Sequence, residues 1–283
     1  MSNLEKGLYI VSTPIGNLED ISFRAKRILE NVDIIICENP KHSLKLLNNL
    51  GIKKKLLSLH DYNENILIKK IEKYQMNYSL ALISDAGSPL ISDPGYNLVQ
   101  DYIRKNLYIT TIPGPSSIIS SLQLSGLAVN SFKFYGFVPK NKKSIKNLVE
   151  SLLDCYETSI FFISGKRLSE FLKILFDFNL DRNISICKEL TKLNEYVFRG
   201  TLIKVIQQVS SNTNNLRGEF TVLVGGRKMN KMNNKTSINA TIKKQILKLL
   251  TKYSLTEVVE IVHKLTNISK KEIYKMTLII KND

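Results

Sequence analysis

Cysteine and histidine are scarce in this chain of 283 residues, three of each, and the scarcity excludes chemistry. Cys37, Cys155 and Cys187 are far apart and odd in number, so neither a disulfide framework nor a C-x-x-C redox pair fits them. Cys37 closes the apolar run VDIIIC and Cys187 lies within NISICKEL, where small buried residues belong. His42, His60 and His263 lack metal-ligand spacing, so the expectation is chemistry without a metal. Long apolar runs are missing too, with none near the roughly 20 residues that cross a bilayer. The opening MSNLEKGLYIVSTP has no basic start followed by an apolar core and a small-residue cleavage site. A cytoplasmic protein without membrane contact is expected. Three ligand fingerprints are absent as well. No G-x-G-x-x-G follows the first strand, no G-x-x-x-x-G-K-[ST] occurs, and no G-x-S-x-G elbow presents a serine. A standard dinucleotide enzyme, a P-loop NTPase and a serine hydrolase are thereby disfavoured.

Positive charge, by contrast, is plentiful at a net +16. Part of the lysine excess accompanies a general richness in Lys, Asn and Ile, the pattern of an AT-rich genome. Its distribution is uneven, however. Residues 227–283 hold thirteen Lys and Arg against four Asp and Glu, a net +9 in the last fifth of the chain. A local basic surplus of this kind points to nucleic acid.

Residues 7–112 alternate short apolar runs (GLYIVST, VDIIIC, LLSL, SLALIS, LYITTI) with helix-like stretches at 19–30, 41–50 and 95–105. That alternation predicts βαβ units and a parallel sheet, and the near-continuous apolarity predicts cover on both faces. Beyond Pro139 the basic stretch KNKKSIKN reads as a surface loop or helix start. TSIFFIS, NISICKEL, YVFRGT and EFTVLVGG then follow at closer spacing, as expected of a second α/β unit with some antiparallel pairing. The predicted class is α/β, with an N-terminal parallel domain over 1–114 and a second α/β domain over 115–226. A basic linker at 227–238 and a basic, helix-turn-helix-like module at 239–283 complete it. Ser254-Leu-Thr-Glu257 and Ser269-Lys-Lys-Glu272 both match the capping box that opens a helix. A plain helical cap is the other reading of that module.

Ligands of open parallel sheets bind beyond the carboxyl ends of the strands. Three strand-leaving loops here are loaded with Gly, Pro and small polar residues. They are 12–17 (STPIGN), 85–95 (DAGSPLISDPG) and 113–117 (PGPSS). Glycine admits a ligand close to the backbone and proline holds the loop in shape. Ordinary turns would explain any one of them; a shared pocket for a small polar ligand explains all three.

The same loops carry a resemblance. LYIVSTPIGNLEDIS, LISDAGSPLISDPGYNLV, TIPGPSSIISSLQLSGL, FKFYGFVPK, CKELTKLNEYVFRGTL and GEFTVLVGG resemble the ribosomal RNA small subunit methyltransferase I family, within the wider tetrapyrrole-methylase-like fold. The resemblance runs over about residues 7–226, and the tail is similar to the family's helical C-terminal domain. It implies two α/β domains with S-adenosylmethionine between them, usually in a homodimer. The implied reaction is 2′-O-methylation of a cytidine ribose in the decoding region of 16S rRNA in the small ribosomal subunit. Carried over by motif, the cofactor positions are Pro14, Gly16 and Asn17, then Asp85, Ala86, Gly87 and Ile91, then Ser116 and Ser117. Two segments depart from the family's pattern. Glu38-Asn39-Pro40-Lys41-His42-Ser43 stands for E-D-T-R-H-T, and Ile163-Ser164-Gly165-Lys166-Arg167 for Y-E-A-P-H-R. A carboxylate is lost in each, around Asn39 and Ser164.

Methyl transfer to a ribose hydroxyl gains from a base that takes its proton. Glu38, following VDIIIC at the ligand edge, is the first candidate. Glu189, with Lys188 and Lys192 in CKELTK, is the second, and Arg167 completes the catalytic set. The same carboxylates also read as loop-orienting partners of Arg167 and Arg199. Lys140, Lys142, Lys143 and Lys146, with the basic tail, are the expected phosphate contacts. Three other readings stay open. A corrin-precursor methyltransferase is opposed by TPIGNLED, which stands in place of a more glycine-rich first loop, and by the basic tail. The others are a non-catalytic rRNA-binding or assembly protein and another enzyme of nucleotide chemistry.

Overall fold

In the computed structural model, residues 4–60, 62–211, 216, 218–227, 240–266 and 268–282 are described. The first five strands are β1 (Gly7–Val11), β2 (Ile34–Cys37), β3 (Lys55–Ser58), β4 (Ser79–Ile83) and β5 (Ile109–Ile112). They form one all-parallel sheet in the order β3-β2-β4-β1-β5. Between them run α1 (Phe23–Asn31), α2 (Pro40–Asn49), α3 (Glu64–Gln75) and α4 (Tyr96–Arg104). Alternate strand residues serve opposite faces, so apolarity must be continuous. Tyr9, Val11, Ile35, Cys37, Ala81 and Ile83 pack with α1 and α2. Leu8, Ile34, Ile36, Leu80 and Leu82 pack with Leu67 and Ile71 of α3 and Leu98 and Tyr102 of α4. Each such side chain taken from water contributes roughly 1.5–3 kcal/mol.

The helix expected over 19–30 is divided. Asn17 caps a short 3-10 turn (Leu18–Asp20) by accepting from the Glu19 N–H, and Ser22 then caps α1 by accepting from the Ala25 N–H. Two polar caps five residues apart each claim a helix start, so the chain turns between them.

α5 (Ser117–Ser125) leads to β6 (Phe132–Phe137), α6 (Lys142–Leu152), β7 (Thr158–Ser164), α7 (Gly165–Asp177), β8 (Asn183–Lys188), β9 (Tyr196–Thr201), α8 (Leu202–Ser211) and β10 (Glu219–Val224). This second sheet has the order β6-β7-β10-β8-β9; β6 and β7 are parallel and every other pair is antiparallel. Its larger core, built on Phe161, Phe171, Leu175 and Val222, lies toward α6, α7 and α8. Ile118 and Leu122 of α5 pack on the other face, against Ile160, Cys187 and Leu223. Buried Arg182 donates to the carbonyls of Leu152, Leu153, Cys155 and Gly225, joining the ends of three elements.

Residues 1–227 form one compact unit that includes both sheets, and 228–283 form another. The second unit holds α9 (Ala240–Leu250), α10 (Leu255–Leu265) and α11 (Lys270–Asn282) around Ile246, Val258, Val262 and Ile273. Ser254 and Glu257 make the reciprocal capping box at α10. The expected linker falls, after Arg227, outside the described residues. Among the described residues, no helix is long and apolar enough to cross a membrane.

Candidate functional site

β4, β1 and β5 are neighbours and parallel, so the loops that leave them open at one edge. Cross-ties hold those loops together. Thr13 and Gly87 exchange two backbone hydrogen bonds at 2.8 and 3.0 Å. The Ser12 and Ser88 hydroxyls lie 3.0 Å apart, and Ser88 Oγ donates to the Pro115 carbonyl at 3.4 Å. The first loop also reaches the second sheet. The Asn17 N–H donates to Thr191 Oγ1 at 3.0 Å, in the loop after β8. At Gly16 a Cβ would fall 2.5 Å from Lys192 Cγ and 2.7 Å from Thr191 Oγ1, so only glycine permits the approach.

Between these loops and the second sheet lies a cleft of about 360 Å³, within the rough 300–1,000 Å³ of small-molecule sites. Ile15, Ile91, Ile118, Phe162 and Leu190 make it partly apolar. Asp85, Asp93, Ser116, Ser117, Glu189 and Lys192 bring polar groups. Backbone strain gathers around it. Leu90 and Ser92 in the second loop, and Glu189 and Thr191 after β8, are non-glycine residues at φ between 48 and 74°. Such conformations cost of order 1–3 kcal/mol each and persist where surrounding structure imposes them.

The carboxylates divide by environment. Burial, then the nearby charges of Glu38 and Asp85, push the Asp93 carboxyl from 3.8 up to about 7, against a lowering hydrogen bond from Ser84. Asp85 Oδ1 is buried and accepts no hydrogen bond. Glu189 is the opposite case. Burial acts to raise its pKa, but the Glu219 N–H at 2.9 Å and the Lys192 ammonium at 3.1 Å outweigh that and hold it below the ordinary value. A carboxylate so tied is a weak base and a good anchor.

Of the residues expected at the site, Asp85, Ala86, Gly87, Ile91, Ser116, Ser117 and Glu189 line the cleft. Pro14, Gly16 and Asn17 do not; Ile15 between them does. Glu38 is not among the lining residues but is near enough to act on Asp93. Arg167, on α7, is away from the cleft lining and donates to the carbonyls of Val138 (2.9 Å) and Pro139. Its geometry is that of a residue positioning the β6–α6 connection. Lys140, Lys142, Lys143 and Lys146 are all exposed along that connection and the first turn of α6, with Lys142 3.7 Å from Glu170. Asn39 accepts from the N–H groups of Lys41 and His42 and so caps α2 without a charge. Ile163 and Ser164 line the cleft without supplying a carboxylate. Asp93, Phe137 and Phe162 are among the cleft residues that sequence reasoning did not single out. For Asp93 the signal was present, since it is the second acid of a Gly- and Pro-rich loop. Among the described residues, no cluster of His, Cys, Asp and Glu is arranged to hold a metal ion.

Residues 7–206 match the tetrapyrrole (corrin/porphyrin) methylases. The Rickettsia prowazekii protein named ribosomal RNA small subunit methyltransferase I is 38% identical over 278 residues, 96% of each chain. Its Haemophilus influenzae namesake is 34% identical over 283 residues, 98% of each. That of Halalkalibacterium halodurans reaches 41% over 224 residues, 78% of this chain and 77% of the relative. Among solved structures, cobalt precorrin-4 methyltransferase superposes with TM-score 0.56 at 14% identity, covering 78% of this chain and 95% of that one. Uroporphyrin-III-C-methyltransferase of Thermus thermophilus gives 0.54 at 17%, covering 78% and 94%. At those identities the likeness is one of fold.

Proposed function

The chain belongs to the tetrapyrrole methylase family, among its ribosomal RNA small subunit methyltransferases I, and we propose that it methylates the 2′-hydroxyl of a cytidine in the decoding region of 16S rRNA, using S-adenosylmethionine. The observation that carries this reading is a partly apolar cleft that holds a carboxylate of raised pKa, Asp93, in its lining. It occurs in a chain that aligns end to end with named rRNA methyltransferases. A homodimer and a cytoplasmic setting belong to the same proposal, on the family resemblance.

The residues fit the cofactor. Asp85 Oδ1 is a buried acceptor still lacking a donor, suited to an ammonium or hydroxyl. Ser116 stands at the N-cap of α5 with its hydroxyl not engaged in capping, where helix amides favour a carboxylate. Ile15, Ile118 and Leu190 offer apolar surface to a purine. When bound, the cofactor supplies a methyl group on a cationic sulfonium.

Asp93 would accept the ribose proton as the new O–CH₃ bond forms and the S–CH₃ pair returns to sulfur. Its pKa, raised to about 7, brings its titration to neutral pH, and a base within reach of the hydroxyl contributes roughly 10²–10⁴-fold. The β6–α6 lysines would meet phosphates. Methyl-labelled cofactor, incubated with the protein and small ribosomal subunits, should label the RNA. Labelling of a corrin precursor instead, or intact RNA binding without label, would overturn the proposal.

A further inference from the structure

Phe137 occupies a setting that folding alone does not require. Phe134 of β6 faces Ile160 of β7, yet Phe137 faces Phe162, so three steps on one strand answer two on the other. Strict alternation would put Phe137 on the side of Tyr135, which stacks on Phe161 at 4.9 Å within the α6–α7 core. The extra residue reverses this, as bulges do when they re-aim a side chain. Phe137 thus meets Phe162 edge-on at 5.5 Å, beside Phe134, which meets the same ring at 4.9 Å. Gly136 makes the bulge at φ +73. The nearest atom to a Cβ there would be Ser92 Oγ at 3.6 Å, so conformation rather than space calls for glycine.

The following residues are clamped. The Val138 N–H donates to the Phe162 carbonyl at 3.0 Å, and Arg167 holds the carbonyls of Val138 and Pro139. Phe137 nevertheless keeps 65% of its surface exposed, in a cleft wall that also holds Asp93 and Lys192. A rigid aromatic ring turned out of the core is surface for a ligand. Charge says which kind: Lys140, Lys142, Lys143 and Lys146 follow it closely and are exposed. Apolar ring and adjacent cations match an unstacked nucleotide, its base on the ring and its phosphates on the lysines.

We propose that Phe137 is the stacking platform for a nucleobase of the RNA strand entering the cleft. The inference rests on the RNA substrate proposed above.

The full chain is tested as Phe137→Ala, Phe137→Leu and Phe137→Trp. Three quantities are read: S-adenosylmethionine affinity by calorimetry, affinity for a short fluorescent oligocytidylate, and mass by light scattering. The Ala and Leu variants should lose about 5–150-fold in oligonucleotide affinity, with Trp near wild type and cofactor affinity and mass unchanged. Leu binding like wild type would overturn stacking, since it keeps apolar bulk without a π face. A parallel fall in cofactor affinity would make the ring an adenine seat, and a change of mass would make it a subunit contact; each overturns the proposal. Wild-type methyl transfer to small subunits is measured separately. Its failure removes the proposed substrate, while the oligonucleotide series still decides whether the ring stacks bases.

Discussion

Asp93→Asn should stabilise the protein at alkaline pH while removing its activity. The folded carboxyl holds its proton up to about pH 7 against an ordinary value of 3.8. The folded state therefore binds more protons than the unfolded one between those limits, and wild type loses stability as pH rises from about 4 to about 7. At about 1.4 kcal/mol per pH unit, the interval sets a ceiling near 4 kcal/mol. Asp93 is only half-buried, and solvent screening brings the expected effect to about 1–2 kcal/mol. The amide cannot ionise, so the variant should melt about 2–8 °C above wild type at pH 8 and show little difference near pH 4. Single-turnover methyl transfer should rise in wild type with an apparent pKa near 7 and fall by roughly 10²-fold or more in the variant. A variant that melts below wild type at pH 8, or that transfers methyl within about threefold of it, would refute the reasoning.

Arg182→Met leaves the carbonyls of Leu152, Leu153, Cys155 and Gly225 without their buried donor. The cost should be about 3 kcal/mol, a melting point lower by about 6–12 °C in calorimetry. Gly16→Ala forces a Cβ to within 2.5 Å of Lys192 Cγ and 2.7 Å of Thr191 Oγ1. The displaced first loop should weaken cofactor binding by roughly tenfold, about 1.4 kcal/mol, as measured by titration calorimetry. Replacing Lys140, Lys142, Lys143 and Lys146 together by Ala should reduce the steepness of the log–log salt dependence of RNA affinity by about 3. Cofactor affinity should not move, because these side chains lie outside the cleft lining.

Strands buried on both faces were legible in the sequence because runs such as VDIIIC and SLALIS leave no polar alternative. β6 was not, since an exposed Phe132, a glycine bulge and an edge position break both the apolar run and the alternation. The start of α1 was read too early because Glu19 and Asp20 look like a first turn, whereas Asn17 caps only the 3-10 turn there. That the three loops gather at one sheet edge beside a cleft was legible because Gly and Pro mark them. Which acid of the cleft carries a raised pKa was not. The raised pKa of Asp93 comes from burial, from Glu38 after another strand and from Asp85 of its own loop, while Glu189 is tied down by Glu219 and Lys192 in space. Arg167, read as catalytic or as a partner of the candidate carboxylates, instead holds the Val138 and Pro139 carbonyls that the fold brings to it.

The most direct test of the central claim is the position of the transferred methyl group. Small-subunit RNA methylated by the purified protein with labelled cofactor is hydrolysed in alkali, which cuts wherever a free 2′-hydroxyl remains. The account predicts label in one alkali-resistant dinucleotide, on the ribose of a single cytidine in the decoding region. Label on a base, on scattered nucleotides, or absent from RNA that the protein still binds would contradict it.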